Sequence, residues 1–411
     1  MLLKALPLVF VLAGLVLYTV LAGADFGAGI WRMLSGPGEQ GRRIRDHAHH
    51  SMGPVWEANH VWLIFVLTVT WTAYPTFLGS IASTLAVPFF IAALGIILRG
   101  ASYALRSGAS TSREGVLVDG AFAVGSLVTP FALGAMAGGI AAERIPVGNA
   151  AGSLWSTWLN PVSITVGVLA VAFSAYLAAV YLSADAARRS EPDIEEAYRR
   201  RALAAGAVAG ALAIVGLIVV HADAHSLYAG LVHGAGLAVL IVSLLAGTAA
   251  MGLVAARRFE PARYVAALAV AAVIAGWAFA RWPVLLPDLT VYQAAAPHDT
   301  LVAVVVAVVA GGAILFPALG LLFALTLRGH LGTPGVDAMP PAGVAKGVLS
   351  QAGRAGPAFQ ARLAVALLII GIGFLNAADA PWAHVIGVFS LFGFILVAFA
   401  AIVPRALTQE G

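Results

Sequence analysis

The sequence predicts an all-α fold, a polytopic transmembrane bundle of about eleven spans. Hydrophobic residues make up 61% of the 411 residues and charged residues only 10%, with a mean hydropathy of +0.94. A soluble domain carries about 25% charged residues, so this composition excludes a water-soluble fold. The apolar residues also recur in runs of about 20, which is the length that crosses a bilayer as a helix. Basic residues concentrate in every second connection between those runs.

The apolar runs follow one another along the chain and are separated by charges, prolines and glycines. The first run begins after Lys4 and shows no convincing cleavage site, so we interpret it as a retained helix and not as a signal peptide. Tyr74 and Pro75 mark the turn between the second and third runs, and Trp155 lies between the fourth and fifth, where interfacial aromatics are expected. The predicted spans are 5–30, 56–74, 78–104, 117–140, 159–183, 202–221, 231–255, 262–281, 301–327, 361–378 and 384–404.

Two connections are longer than the others. Ala184–Arg201 has mixed charge and predicts a helical hairpin, whereas Gly329–Gln360 is rich in Gly and Pro and predicts a linker. The chain is therefore divided into a membrane domain, 1–328, and a C-terminal segment, 329–411, that holds the linker and the last two spans.

The basic residues predict the orientation of the bundle, because Lys and Arg concentrate on the cytoplasmic side. If the N-terminus faces outside, only Lys4, Arg144 and Arg281 lie on the outer side, and the other 20 of the 23 basic residues lie inside. This asymmetry predicts an odd number of spans and a cytoplasmic C-terminus. The basic excess is thus explained by topology, and no nucleic-acid partner is expected.

Several kinds of chemistry have no support in the sequence. Cysteine is absent, so disulfides, thiolate metal ligands and iron–sulfur clusters are excluded. No Walker loop, nucleophile elbow or dinucleotide-binding fingerprint occurs. Any redox chemistry must therefore use a cofactor that the chain does not hold through cysteine.

Two charged residues fall near the interior of predicted spans, where an ionisable group costs about 2.5–3.5 kcal/mol and is a functional candidate by default. Asp25 is flanked by small residues, from Ala22 to Gly29, that let a neighbouring helix come close. It is either a buried proton-carrying carboxylate or an acid that caps a helix end in contact with water. Arg99, in the third span, is its candidate counter-ion.

Glu57 and His60 lie in the segment Gly53–Trp62, at the start of the second span. Pro54 suits the first position of a helix, and a carboxylate in the first turn complements the helix dipole. That account alone would explain Glu57, and the alternative is a role in proton uptake. His60 is three residues further along the same helical face, where it could bond Glu57, bond a partner chain or ligate haem.

The other histidines are interpreted as solvated. His47, His49 and His50 follow a run of arginines and predict an exposed cytoplasmic surface. His221, Asp223 and His225 could supply metal ligands, but a solvated outer turn is the favoured interpretation.

The segment Gly53–Phe65, GPVWEANHVWLIF, resembles the hallmark stretch of subunit II of bacterial cytochrome bd quinol oxidases. The segment Gly23–Gly27 resembles the family's Gly-Phe-Asp-x-Gly motif, and further similarities follow in the family's order to about residue 328. Ala24, the Glu57-Ala58 pair and His60 depart from the usual residues. The chain therefore resembles a divergent branch of the family that carries a C-terminal two-helix extension.

The resemblance implies nine family-like helices in a bacterial plasma-membrane protein, paired with a structurally similar subunit I that holds three haems. The complex would oxidise quinol and reduce dioxygen to water, with no catalytic residue and no haem or metal in this chain. It would support assembly, contribute to a cytoplasmic proton path through Asp25, Glu57, Arg99 and His60, and hold a quinone or lipid near Trp62. In some relatives a small single-helix accessory subunit takes the place that the last two spans could occupy.

A proton-coupled secondary transporter is the alternative, since buried acids and small-residue helices occur there as well. A transporter would more often show two related halves with helices broken near mid-membrane. The motif around Trp56–Trp62 favours the oxidase subunit.

Overall fold

The computed structural model describes residues 1–52, 56–106, 112–327 and 357–377, together with single positions between 386 and 397. Helices dominate, and the described strands form one short antiparallel hairpin, so the predicted all-α class is confirmed. The elements are α1 (Leu2–Met33), α2 (Gly38–Met52), α3 (Trp56–Ala73), α4 (Pro75–Thr84), α5 (Ala86–Arg106), α6 (Ser112–Ala141), α7 (Pro161–Arg188), α8 (Pro192–Asp223), α9 (His225–Val232), α10 (Gly234–Ala255), α11 (Phe259–Arg281), β1 (Val284–Leu286), β2 (Leu289–Thr290), α12 (Val291–Ala294), α13 (His298–Leu327) and α14 (Pro357–Ala377).

Eight of the described helices are long and apolar enough to cross a membrane, namely α1, α5, α6, α7, α8, α10, α11 and α13. Helix α3 has a shorter apolar stretch, Asn59–Ala73. The chain forms two compact units, Met1–Leu315 and Phe316–Gly411. The count of about eleven spans and the domain boundary at residue 328 stay predictions.

The predicted third span, 78–104, is wrong as a single helix, because it is divided at Leu85 into α4 and α5. Pro88 lies in the first turn of α5 and has no N–H to donate to the carbonyl of Thr84. The seventh predicted span, 231–255, corresponds to α10, which a break at His233 separates from α9. There Gly234 adopts a positive φ of 55°, a conformation that glycine reaches without steric cost.

Helix α1 lies at the centre of the first unit, where it packs against α2, α3, α6, α7 and α11. Gly23 and Gly27, four residues apart, face Ser174 of α7. A Cβ atom at Gly27 would overlap the carbonyl group of Ser174 and the Cβ of Ala178. Small residues at this spacing let two helix backbones approach closely, so α1 and α7 are in direct backbone contact near Gly27.

Side-chain contacts place the connections on two faces of the bundle. On the N-terminal face, Arg144 pairs with Asp223 at 2.9 Å and Arg281 pairs with Glu143. The opposite face holds pairs such as Arg257 with Glu195, at 2.7 Å. These contacts agree with the alternation of connections that the arginines predict. Which face lies outside the cell stays a prediction.

The predicted helical hairpin around 184–201 is confirmed, since α7 continues to Arg188 and α8 begins at Pro192. The prediction that His47 is solvated is wrong. Its side chain is 2% exposed, and Nδ1 lies 2.9 Å from Oε2 of Glu191. Its Nε2 lies 3.3 Å from the carbonyl oxygen of Leu182. His47 therefore fixes α2 against the hairpin, because these partners come from a distant part of the chain.

Tyr74 connects the end of α3 to the first turns of α1. Its hydroxyl donates to the carbonyl of Lys4 at 2.7 Å and accepts from the backbone N–H of Leu8 at 3.0 Å. Both bonds join residues that are distant in sequence.

Tyr74→Phe is expected to destabilise the protein by about 1 kcal/mol, because it removes both bonds from a buried site. The thermal midpoint of the detergent-purified protein measures the effect. Thr72→Val is the control, since it removes the bond from the exposed Thr72 hydroxyl to Thr68. Equal midpoints for Tyr74→Phe and the wild type would show that the two bonds of the Tyr74 hydroxyl do not contribute to stability.

Candidate functional site

The candidate site is built around a buried ion pair between α1 and α5. Asp25 is 1% exposed and Arg99 is fully buried. Nη2 of Arg99 donates to Oδ2 of Asp25 at 2.5 Å, and Nη1 donates to the hydroxyl of Ser126 on α6. The predicted counter-ion is therefore in place, and three helices meet at the guanidinium group. The alternative interpretation of Asp25, an acid in contact with water at a helix end, is wrong.

Glycines let these three helices come close enough for the pair to form. A Cβ at Gly29 would overlap the side chain of Ser126, and one at Gly125 would collide with the backbone of Gly95 and the stem of Arg99. The sequence separation of Asp25 and Arg99 is 74 residues, so no local pattern indicates the contact. The small residues near Asp25 and near Arg99 are the sequence feature that indicates a close contact between their helices.

Aromatic rings surround the Arg99 guanidinium. Its central carbon lies 4.9 Å from the ring centroid of Phe26 and 4.4 Å from that of Phe122. A desolvated cation–π contact of this kind contributes about 2 kcal/mol. The two rings thus offset part of the cost of burying the charge. Neither Phe26 nor Phe122 was predicted from sequence to be part of the site.

Polar atoms beside the ion pair are buried without a hydrogen-bond partner among the described residues. They include Oδ1 of Asp25, Nε of Arg99 and the hydroxyls of Tyr18 and Thr129. Buried polar groups in proteins are nearly always satisfied by protein atoms or ordered water, and a buried water makes about three hydrogen bonds. The chemistry of these groups is therefore suited to binding water next to the ion pair.

A second ion pair lies between the site and the face opposite the N-terminus. Arg32 is 8% exposed, and its Nη2 lies 3.2 Å from Oδ1 of Asp119, whose side chain is 47% exposed. The central carbon of Arg32 lies 4.4 Å from the Phe122 centroid, the same distance as that of Arg99. Both guanidinium groups thus contact one ring, and Asp119 connects this pair to the surroundings. Neither Arg32 nor Asp119 was a candidate from sequence.

The remaining candidates lie on α3. The ring of His60 contacts those of Tyr18 and Phe26, each with a centroid separation of 6.0 Å. Trp62 is partly buried against the cluster of Tyr18, Ala22 and Phe26. Glu57 is part of α3, but its side chain lies outside the described residues. His60 and Trp62 therefore lie next to the aromatic residues around the ion pair. The position of the Glu57 carboxylate stays a prediction.

Metal-binding side chains are not clustered in the part of the chain that the structure describes, where no group of three or more His, Asp or Glu residues could hold an ion. His221 and His225 instead contact Tyr228 and each other through their rings.

Comparisons with known proteins relate this architecture to one family. A family model described as cytochrome bd terminal oxidase subunit II matches residues 3–326. The "Cytochrome bd ubiquinol oxidase subunit 2" of Bacillus subtilis is 31% identical over 116 residues, which is 28% of this chain and 33% of that protein. A second cytochrome bd subunit II from the same organism is 21% identical over 326 residues, covering 76% of this chain and 92% of that protein.

The fold is also similar to a solved structure. A chain of the bd oxidase from Geobacillus thermodenitrificans aligns with a TM-score of 0.64 and 25% identity. The alignment covers 80% of this chain and 99% of the other. The candidate site lies within the family match.

Proposed function

This chain belongs to the cytochrome bd terminal oxidase subunit II family, and on that premise we propose that it is the membrane subunit that supports a quinol-oxidising, O2-reducing complex. It is a multi-pass plasma-membrane protein of an oxidoreductase family. In the proposal a subunit I partner holds the haems and carries out the oxidation of quinol and the reduction of dioxygen to water. This chain stabilises the assembly, contacts a quinone or lipid near Trp62, and delivers protons from the cytoplasm.

The buried Asp25–Arg99 pair is the observation that supports a role for this chain beyond scaffolding. A purely structural core would be cheaper to build from apolar residues, because replacing buried ion pairs with apolar side chains is often neutral or stabilising. Here the ion pair is present in the core. Buried polar atoms with no described hydrogen-bond partner lie beside it, and water can bond to them. Such groups inside a membrane bundle are typical of proton paths.

We propose different roles for the candidate residues. A proton on Asp25 would leave the charge of Arg99 buried without its counter-charge, which is costly. Asp25 and Arg99 are therefore proposed to orient water, with His60 beside them. The buried Arg32 and the exposed Asp119 lie between them and the face opposite the N-terminus, and Glu57 is proposed as the carboxylate that takes up the proton.

Purification of the full chain with its membrane partners tests the proposed function. We expect a haem-containing partner to remain bound, with reduced-minus-oxidised spectra of haem and quinol-driven oxygen consumption. Recovery of this chain alone, without haem and with substrate uptake in vesicles, would favour the transporter alternative and overturn the proposal.

Glu57→Gln tests the proton path. We expect quinol-driven proton uptake to slow about tenfold or more, as removal of a positioned acid–base group typically does, with a smaller loss in the yield of the complex. Glu39→Gln is the matched control, because Glu39 is an exposed acid on α2. Uptake at the wild-type rate with normal yield would remove Glu57 from the path.

A further inference from the structure

A cleft on the N-terminal face lies between α1, α4, α6, α11 and the segment that follows α11. Its enclosed part has a volume of about 50 Å³, and the rest of the cleft is open to the surroundings. It is separate from the Asp25–Arg99 site, with which it shares no lining residue. Of the described residues that line it, Arg281 alone is charged. The lining residues are Leu8, Leu12, Phe77, Ile140, Trp277, Ala278, Arg281, Trp282, Pro283, Val284, Leu285 and Val291.

Two hydrogen-bond donors of this lining have no acceptor among the described residues. The Arg281 side chain is 8% exposed, and its Nη1 donates to Oε1 of Glu143. Its Nη2 is buried, and no described atom accepts a hydrogen bond from it; the same holds for the indole Nε1 of Trp277. A buried donor left without an acceptor costs about 1–3 kcal/mol, and more when it is charged. The cleft therefore favours an occupant that brings an acceptor oxygen.

The charges at the rim favour an anionic acceptor. Lys4 is exposed, and its Nζ donates to the backbone carbonyl of Tyr292 at 3.2 Å. The ring of Tyr292 contacts that of Trp282, which lines the cleft. Glu143 is the one described acid that bonds Arg281, and it also accepts from Ser226 at 3.0 Å. Its charge is thus matched by Arg281, while Lys4 remains as a further cation. Basic side chains near the membrane surface attract anionic lipid headgroups, so these two cations favour such a group.

We propose that this cleft binds a phospholipid, with its phosphate at Nη2 of Arg281 and an acyl chain along Leu8, Leu12 and Phe77. Guanidinium groups bind phosphate oxygens through strong charge-assisted bonds. Trp277, Trp282 and Tyr292 lie at the same end of the bundle, as aromatic residues do at the depth of the headgroups. The apolar lining residues then contact the lipid's acyl chain where it leaves the headgroup.

Native mass spectrometry of the full chain, purified in mild detergent with the subunits that stay bound, tests the assignment. The delipidated protein is titrated with dioleoylphosphatidylglycerol, and with dioleoylglycerol, which lacks the phosphate. We expect one tightly bound phospholipid in the wild type, and Arg281→Met to weaken it about tenfold, which corresponds to loss of a charge-assisted bond. Dioleoylglycerol should not compete.

Arg144→Met is the matched control, because Arg144 lies on the same face, is 45% exposed and pairs with Asp223. It should bind phospholipid as the wild type does. Trp277→Phe keeps the ring and removes one donor, so it should weaken binding in a protein of normal yield even if Arg281→Met folds poorly. Equal binding by Trp277→Phe and the wild type, a quinone bound in place of phospholipid, or no ligand other than water would each overturn the proposal.

Discussion

Arg99→Met should destabilise the protein by about 3–5 kcal/mol, the cost of removing one partner from a buried ion pair. Asp25 is 1% exposed, so loss of the guanidinium group leaves its carboxylate buried without a counter-charge. The hydroxyl of Ser126 loses its donor in the same step, and the rings of Phe26 and Phe122 lose their cation. The measurements are the yield of the detergent-purified complex and the midpoint of its thermal unfolding.

Two further variants separate the charge effect from general damage. Arg200→Met removes an arginine whose side chain is 78% exposed and pairs with Glu196, and such surface pairs contribute about 0–1 kcal/mol. The double variant Asp25→Asn/Arg99→Met leaves no buried charge without a partner, so it should be more stable than Arg99→Met alone. A double variant less stable than the single one would show that Arg99 acts through packing and not through its charge.

The two charged residues of the buried ion pair could be predicted from sequence, but the residues that surround the pair could not. Asp25 and Arg99 stand out because an ionisable group in an apolar run must have a reason to be there. No comparable sequence feature indicates Ser126, Phe122 or Tyr18, because hydroxyls and aromatic rings are common in membrane helices. Their roles follow from tertiary contacts between α1, α5 and α6, which one sequence does not encode locally.

In the fold, too, local sequence predicts some features, whereas contacts between distant residues determine others. Hydropathy and arginine placement predict the helices and the 184–201 hairpin, because both depend on the immediate composition of the chain. The break at Leu85 was missed although Pro88 marks it, since a proline in an apolar run is compatible with a continuous membrane helix. His47 was misjudged for a different reason: its neighbours in sequence are polar, but its partners Leu182 and Glu191 come from the distant hairpin.

Gly27→Val is the second substitution with a large expected effect, a loss of about 3 kcal/mol or more, at the upper end of the overpacking range. The added Cβ would overlap the backbone carbonyl of Ser174, which cannot move aside as a flexible side chain can. Helices α1 and α7 would have to separate, and α1 carries Asp25 two residues away. We therefore expect a large fall in the yield of the complex and in its thermal midpoint.

Gly210→Val provides the control, because Gly210 is an exposed glycine of α8 with no atom within 4 Å of an added Cβ. Both variants exchange glycine for the same β-branched residue within a helix, so the intrinsic change in helix propensity is common to them. The difference between their midpoints then isolates the contact between α1 and α7. If the two variants lost the same stability, the small residues of α1 would be serving backbone flexibility and not close packing. The Asp25–Arg99 pair would then not depend on this helix contact.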